Sequence, residues 1–392
     1  MKHWTPFWAW VAVWSLGCSQ AGQGTSGGFP SSGTIGADDG SAASGAGTSG
    51  TNTGGSSGTD LGEADASAGG SSGVSSGSSP ANSGSGSGSA GSSGTGSADS
   101  GTTPTGTKTP PSLSSCPATP AGAPADAVQA WTILNQTRLA AGSGCMSLVA
   151  TLDKSAQSHC NYEAANAKNA MCVSDPHGEV STCTGFTGVD VQSREFAAGY
   201  PQALCYTEVL TSYGDNPTAA VPSWIDTVFH RIPLLDPWTV DMGYGGATGC
   251  DVIDIGRGMS SAPANTVVVY PYDGQINVPP AFSGAEGPAP PAPSGGFPSS
   301  YPISIYAQGL SVTQHVLTKD GDSTPIDHLW LDANSSQVSS GLKGYFYDTA
   351  FLYGAPFALS TKYHVKIVGS GTSGPLNVEW SFTTGATRPY GT

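Results

Sequence analysis

The amino-acid sequence predicts an α+β protein with two folded parts: helices flanking a small sheet over residues 116–275, and an all-β sandwich over residues 301–386. Three observations predict it. Apolar residues recur at helical spacing in the first part, and alternate with polar ones in runs bounded by turns in the second. Before Cys116 the chain has too few apolar side chains to build a core. Gly and Ser supply 49 of the 90 residues from Ala21 to Pro110, which cannot offset the entropy of ordering that stretch.

Met1-Lys2-His3 precedes an apolar run from Phe7 to Gly17, the order of a secretory signal. The run is too short for a bilayer span, which needs about 20 residues. It closes on Ser15-Leu16-Gly17-Cys18 and resembles the bacterial lipoprotein signal. That resemblance implies a signal peptide over residues 1–18, with Cys18 lipidated as the mature N-terminus; the alternative is an ordinary cleaved signal with an incidental Cys. Residues 19–115 then form a disordered tether whose root-mean-square reach is roughly 50 to 60 Å. The expected location is the cell envelope, at the surface or outside it, with membrane contact only through the N-terminal lipid.

The chain carries 13 basic and 28 acidic residues, a formal charge of −15, and no Lys/Arg cluster. This excludes nucleic acid as a partner and argues against an anionic membrane surface. Seven of the eight Cys lie between Cys116 and Cys250. In an exported chain they read as a disulfide framework, and no C-x-x-C pair points to zinc or redox work. Cys172 and Cys183 form the candidate local pair, closing a loop around Asp175-Pro176-His177-Gly178-Glu179. Seven is odd, so one thiol stays unbridged, pairs between chains, or pairs with Cys18.

In the first part, Asp126 is a suitable N-cap for a helix carrying Val128, Trp131 and Leu134 and ending at Gly142. A second helix is expected from Leu148 to Ala167, then a Cys- and Gly-rich loop region. A third is expected from Ala220 to Phe229, with Pro222 in its first turn. Strands are expected at Tyr206–Thr211, Asp241–Tyr244, Asp251–Ile255 and Thr266–Tyr270. Residues 276–300 carry seven prolines and read as a stiff spacer. In the second part, strands are expected at Ile303–Ala307, His315–Thr318, Asp327–Leu331 and Tyr345–Leu352. Two more alternate around Tyr363, Val365 and Ile367 and around Val378, Trp380 and Phe382. The closing pattern, Phe357 to Val365 followed by Trp380-Ser-Phe382, resembles the end of bacterial Ig-like domains. Asp320-Gly321-Asp322 lacks the further ligands of a calcium loop and reads as a polar turn.

Three groups have the residue types for chemistry: His177 with Glu179, Glu208 in an expected strand, and His230 after the third helix. Neutral imidazole donates a lone pair and carboxylate supplies charge, so they could serve a divalent cation or general acid/base work. Their spacing is shared with other residues. Asn135-Gln-Thr-Arg138, His159 and Tyr162, His177-Gly178-Glu179, Glu208, and Trp224 with His230-Arg231 six residues on, then Met242-Gly-Tyr-Gly245, occur in the order of the CAP (SCP-like) superfamily. Over residues 127–256 the chain resembles its bacterial extracellular branch.

The resemblance implies an α-β-α sandwich with a shallow cleft lined by two His and two Glu, which holds a divalent cation such as zinc in some members. His177, Glu208 and His230 carry over. Thr227 stands where many eukaryotic members have a Glu, so either Glu179 substitutes or the cluster has three members. No Ser or Cys lies in a recognisable triad setting. The favoured reading is a non-enzymatic binding module for a small-molecule, lipid or cell-envelope ligand. The alternatives are a metal-assisted hydrolase with Glu208 as candidate general base, and a structural envelope protein. His159, mid-helix, reads as a hydrogen-bonded core histidine, and Arg138 and Arg231 as loop anchors.

Overall fold

A computed structural model describes residues 110–387, apart from 213–215, 260–262 and 264. The signal segment, Cys18 and tether residues 19–109 lie outside the described residues. Helix α1 (Ala125–Ala141) follows Pro124, so Asp126 sits in the first turn, where its charge suits the helix dipole, instead of capping it. Gly142 ends the helix in the left-handed region at φ 93°. Leu148 does not open the second helix: it lies in the short strand β1 (Ser147–Leu148), and α2 runs Ala150–Asn166. The loop region contains a helix absent from the sequence reading, α3 (Val191–Ala198), started by a reciprocal capping box between Asp190 and Ser193.

After β2 (Cys205–Thr211), α4 (Pro217–Ile225) starts three residues earlier than expected. The Asn216 side chain accepts from the amides of Thr218 and Ala219, with Pro217 at the first helical position. Pro222 therefore lies inside the helix and not in its first turn. The short α5 (Arg231–Leu235), β3 (Thr239–Ala247) and β4 (Cys250–Arg257) complete this part.

The sheet order is β1-β3-β4-β2, and helices cover both of its faces. Successive residues of β3 point to opposite sides. Met242 and Tyr244 join the core that contains Leu134 and Trp224. On the other side, a Cβ at Gly243 or Gly245 would lie 2.1 or 2.2 Å from backbone atoms of α2. The two glycines are what let that helix lie directly on the strand. Cys160–Cys250 then bolts α2 to β4, beside the bridges Cys116–Cys145 and Cys172–Cys183. The expected local pair forms, and the odd cysteine is Cys205, buried outside the three bridges with its thiol toward the Pro201 carbonyl.

The remaining strands are β5 (Val267–Tyr270), β6 (Gln275–Val278), β7 (Ile303–Ala307), β8 (Ser311–Lys319), β9 (His328–Leu331), β10 (Thr349–Gly354), β11 (Lys362–Gly371) and β12 (Gly374–Thr384). They form two four-stranded sheets, β5-β7-β10-β9 and β6-β12-β11-β8. Tyr345 and Phe346 belong to a 3-10 turn before β10 instead of to the strand. Two expectations are corrected. Val267–Tyr270 pairs antiparallel with β7 and not within the first sheet, and residues 276–300 are docked on the protein instead of standing off as a spacer. Phe282 and Ser299 exchange backbone hydrogen bonds, the Phe357 amide donates to the Pro280 carbonyl, and the Tyr353 hydroxyl donates to the Pro291 carbonyl.

Arg231 locks the two parts together. Its guanidinium is buried, donates to the carbonyls of Ile225 at 2.6 Å and Pro302 at 2.5 Å, and lies 4.9 and 5.0 Å from the ring centres of Tyr270 and Tyr301. Arg231→Met keeps much of the volume but strands two buried carbonyls and removes the cation–π contacts. We expect it to lower unfolding free energy by about 3 kcal/mol, read as a shifted urea midpoint; an unchanged midpoint would refute the assignment.

Candidate functional site

Helix α2 holds the His177 loop from one side. Tyr162 donates its hydroxyl to the Cys172 carbonyl at 2.8 Å and accepts the Val180 amide at 2.9 Å, while His159 Nε2 donates to the Pro176 carbonyl at 2.8 Å. The Cys172–Cys183 bridge closes the loop, and Asp175 caps its turn by accepting the His177 amide. His177 Nδ1 is thereby set 2.7 Å from Glu208 Oε1 on β2. Arg194 on α3 secures the arrangement, donating to Glu208 Oε2 at 2.7 Å and to the His177 carbonyl at 2.8 Å. Gly188 is required here, because a Cβ would stand 2.6 Å from the Arg194 amide nitrogen.

Glu179 does not join His177 as a fourth cleft carboxylate. It faces His159 Nδ1 at 3.0 Å and accepts the Thr187 and Gly188 amides, so its oxygens are spent pinning the loop. His230 is not hydrogen-bonded to Glu208 either. Its Nδ1 lies 3.0 Å from Glu286 Oε1 and 3.1 Å from Thr227 Oγ1. Glu286, from the proline-rich segment, also accepts the amides of Val228, Phe229 and His230.

Sequence reasoning missed Glu286 because 56 residues separate it from His230 and its surroundings read as a spacer. Only one signal was available: it is the single charged residue between Asp273 and Lys319. Arg194 was equally hidden, lying on the helix that the pattern did not reveal. His159, Arg138 and Arg231 have the anchoring roles expected of them. Arg138, for example, donates to the carbonyls of Gly144, Leu234 and Thr239.

The two imidazoles share one arrangement. A carboxylate oxygen only accepts, so each Nδ1 carries a proton, and in the neutral ring each Nε2 then presents its lone pair. Both Nε2 atoms are buried with no partner among the described residues, on rings 7% exposed. Beneath His177 lies a strongly acidic interior. Burial opposes ionisation of Glu208, but Arg194 and then His159 and His177 outweigh it and hold its carboxyl well below the usual range. Its neighbours go the other way. Burial, reinforced by the Glu208 charge, pushes Glu195 up to about 8, and burial raises Glu163 to about 7. Asp254, opposite Glu208 across β2 and β4, is raised by the same two causes.

The residues present do not fit a zinc centre of three protein donors. Among the described residues, no group of three or more His, Cys, Asp or Glu is arranged to hold a metal ion. Both Glu208 oxygens accept, one from His177 and one from Arg194, whereas among the described residues neither Nε2 has a partner.

No family model matches the chain, and no curated protein matches it. Among solved structures, it is similar to an extracellular protein containing a SCP domain from Bacillus anthracis, with 16% identity over 34% of this chain and a TM-score of 0.28. The match spans 40% of that protein's chain.

Proposed function

We propose that the protein is an exported, disulfide-stapled binding module whose ligand-facing groups are the Nε2 atoms of His177 and His230. One observation carries this reading: each ring is fixed through Nδ1 to a buried carboxylate, leaving a buried Nε2 that no group among the described residues uses. Such acceptors suit a small ligand bearing O–H or N–H donors, or a divalent cation held weakly by imidazole with water completing its shell. The Cys18 lipid would hold the module in the cell envelope, and the C-terminal sheets, read as an Ig-like sandwich, would present it. Glu208 is poorly suited to general-base work, because Arg194 and the surrounding imidazoles keep it ionised and weakly basic.

The test is calorimetric titration of the full chain with Zn²⁺, beside His177→Ala and His230→Ala. Weak binding abolished by either substitution is the expected result. Equal heats in all three proteins would eliminate the cation reading, and turnover of model peptides or esters lost in Glu208→Gln would replace the binder with an enzyme.

A further inference from the structure

Glu286 is placed as a working part of the His230 site, not as an incidental surface acid. Its side chain is fully covered. Its two oxygens accept three consecutive backbone amides, from Val228, Phe229 and His230, at 2.6 to 3.0 Å, as well as facing His230 Nδ1. Those amides lie in the turn between α4 and α5, so one carboxylate fixes the backbone that carries the imidazole and also the ring itself.

The turn itself offers no charged substitute. Thr227, one turn before His230, reaches the same Nδ1 at 3.1 Å, but its hydroxyl donates to the Trp224 carbonyl and carries no charge. With its single proton on the Trp224 carbonyl, Thr227 Oγ1 accepts from Nδ1 and so supports the same tautomer, but a hydroxyl can rotate and donate instead, so Thr227 alone does not enforce it. Ionised Glu286 does, because it has no proton to give. The segment that supplies it is held at both ends, by the pairing of Phe282 with Ser299 and by Tyr353 on Pro291.

We infer that the proline-rich segment completes the site from outside the first folded part, with Glu286 as a positioning residue that locks His230 in the Nδ1–H tautomer and so presents Nε2 to the ligand. The tautomer statement stands on its own; the ligand statement rests on the binding function proposed above.

Histidine ¹⁵N NMR of the full chain tests the first without any ligand. In the wild type, the His230 nitrogens should report Nδ1–H; finding Nε2–H would overturn the assignment outright. In Glu286→Gln, whose amide can donate as well as accept, the His230 signals should shift toward mixed tautomers, while His177 stays unchanged. Glu286→Ala combined with Thr227→Glu should restore the wild-type tautomer by bringing a carboxylate from the turn after α4. An unaltered His230 spectrum in Glu286→Gln would refute the positioning role.

Zn²⁺ affinity should fall about 10- to 100-fold in Glu286→Gln. If the wild type takes up no Zn²⁺, the proposed binding function fails in its cation form while the tautomer result still decides the role of Glu286. Zn²⁺ affinity unchanged in Glu286→Gln would refute the link between Glu286 and ligand.

Discussion

Replacing Arg194 with methionine is expected to destabilise the folded protein by about 3–5 kcal/mol, the usual cost of stranding one member of a buried ion pair. Arg194 is 1% exposed and compensates Glu208, whose side chain is fully covered, while lying 3.8 Å from Glu179. Without the guanidinium, burial is no longer outweighed and Glu208 takes up a proton. The pH dependence then changes sign. In the wild type the depressed Glu208 carboxyl adds stability above its unfolded value, near pH 4.3, and that contribution is lost as pH falls through the folded value. In the variant, the protonated form is the better buried one, so stability declines as pH rises past 4. Between about pH 3 and pH 4.5, before the loss carried by Glu195 sets in, the urea midpoint of the wild type should therefore rise relative to that of Arg194→Met. Parallel curves would show that Arg194 does not set the charge of Glu208.

The neighbouring helix position should behave in the opposite way. Glu195 is completely buried, with Cys205 and the Tyr206 amide beside it, and burial together with the Glu208 charge pushes it up to about 8. Its proton is therefore retained in the folded state between about pH 4.5 and 8 but lost from the unfolded chain. Over that window stability drops by up to about 1.4 kcal/mol for each pH unit. Glutamine keeps the shape and cannot ionise. Glu195→Gln is thus expected to match the wild type near pH 4 and to exceed it by about 2–4 kcal/mol at pH 8.5. Denaturation at those two pH values decides the matter: a gap that does not widen with pH would mean that Glu195 is not the group carrying the proton.

Much of the architecture could be read from residue order because it is locally encoded. The helical spacing of Trp131 and Leu134, the stop at Gly142 and the alternation around Tyr363 and Trp380 each specify their element without reference to distant residues. The strand at Ile303–Ala307 falls where its pattern places it. The pairing of β5 does not follow from such patterns. Val267–Tyr270 is as good a strand for the first sheet as for the second, and only the three-dimensional position of β7 decides.

The site divides along the same line. His177 and Glu208 are near one another on neighbouring structural elements, and the disulfide loop and β2 bring them into contact. His230, by contrast, takes its carboxylate from a segment whose composition speaks only of backbone stiffness. Proline content reports how a chain bends, not what it leans against. Glu179 misled for the reverse reason: two residues from His177 in sequence, it turns toward His159 and the Thr187 amide, because the tight turn capped by Asp175 sends the two side chains apart.

The docked proline-rich segment also bears on how such a chain can be dissected or inherited. Genes built by shuffling are ordinarily cut at connectors that few contacts cross. A break after residue 275 would remove the partner of His230, leave Val267–Tyr270 with an unpaired edge and open the pocket in which Arg231 lies. A truncated recombinant fragment would therefore be a poor guide to the intact molecule.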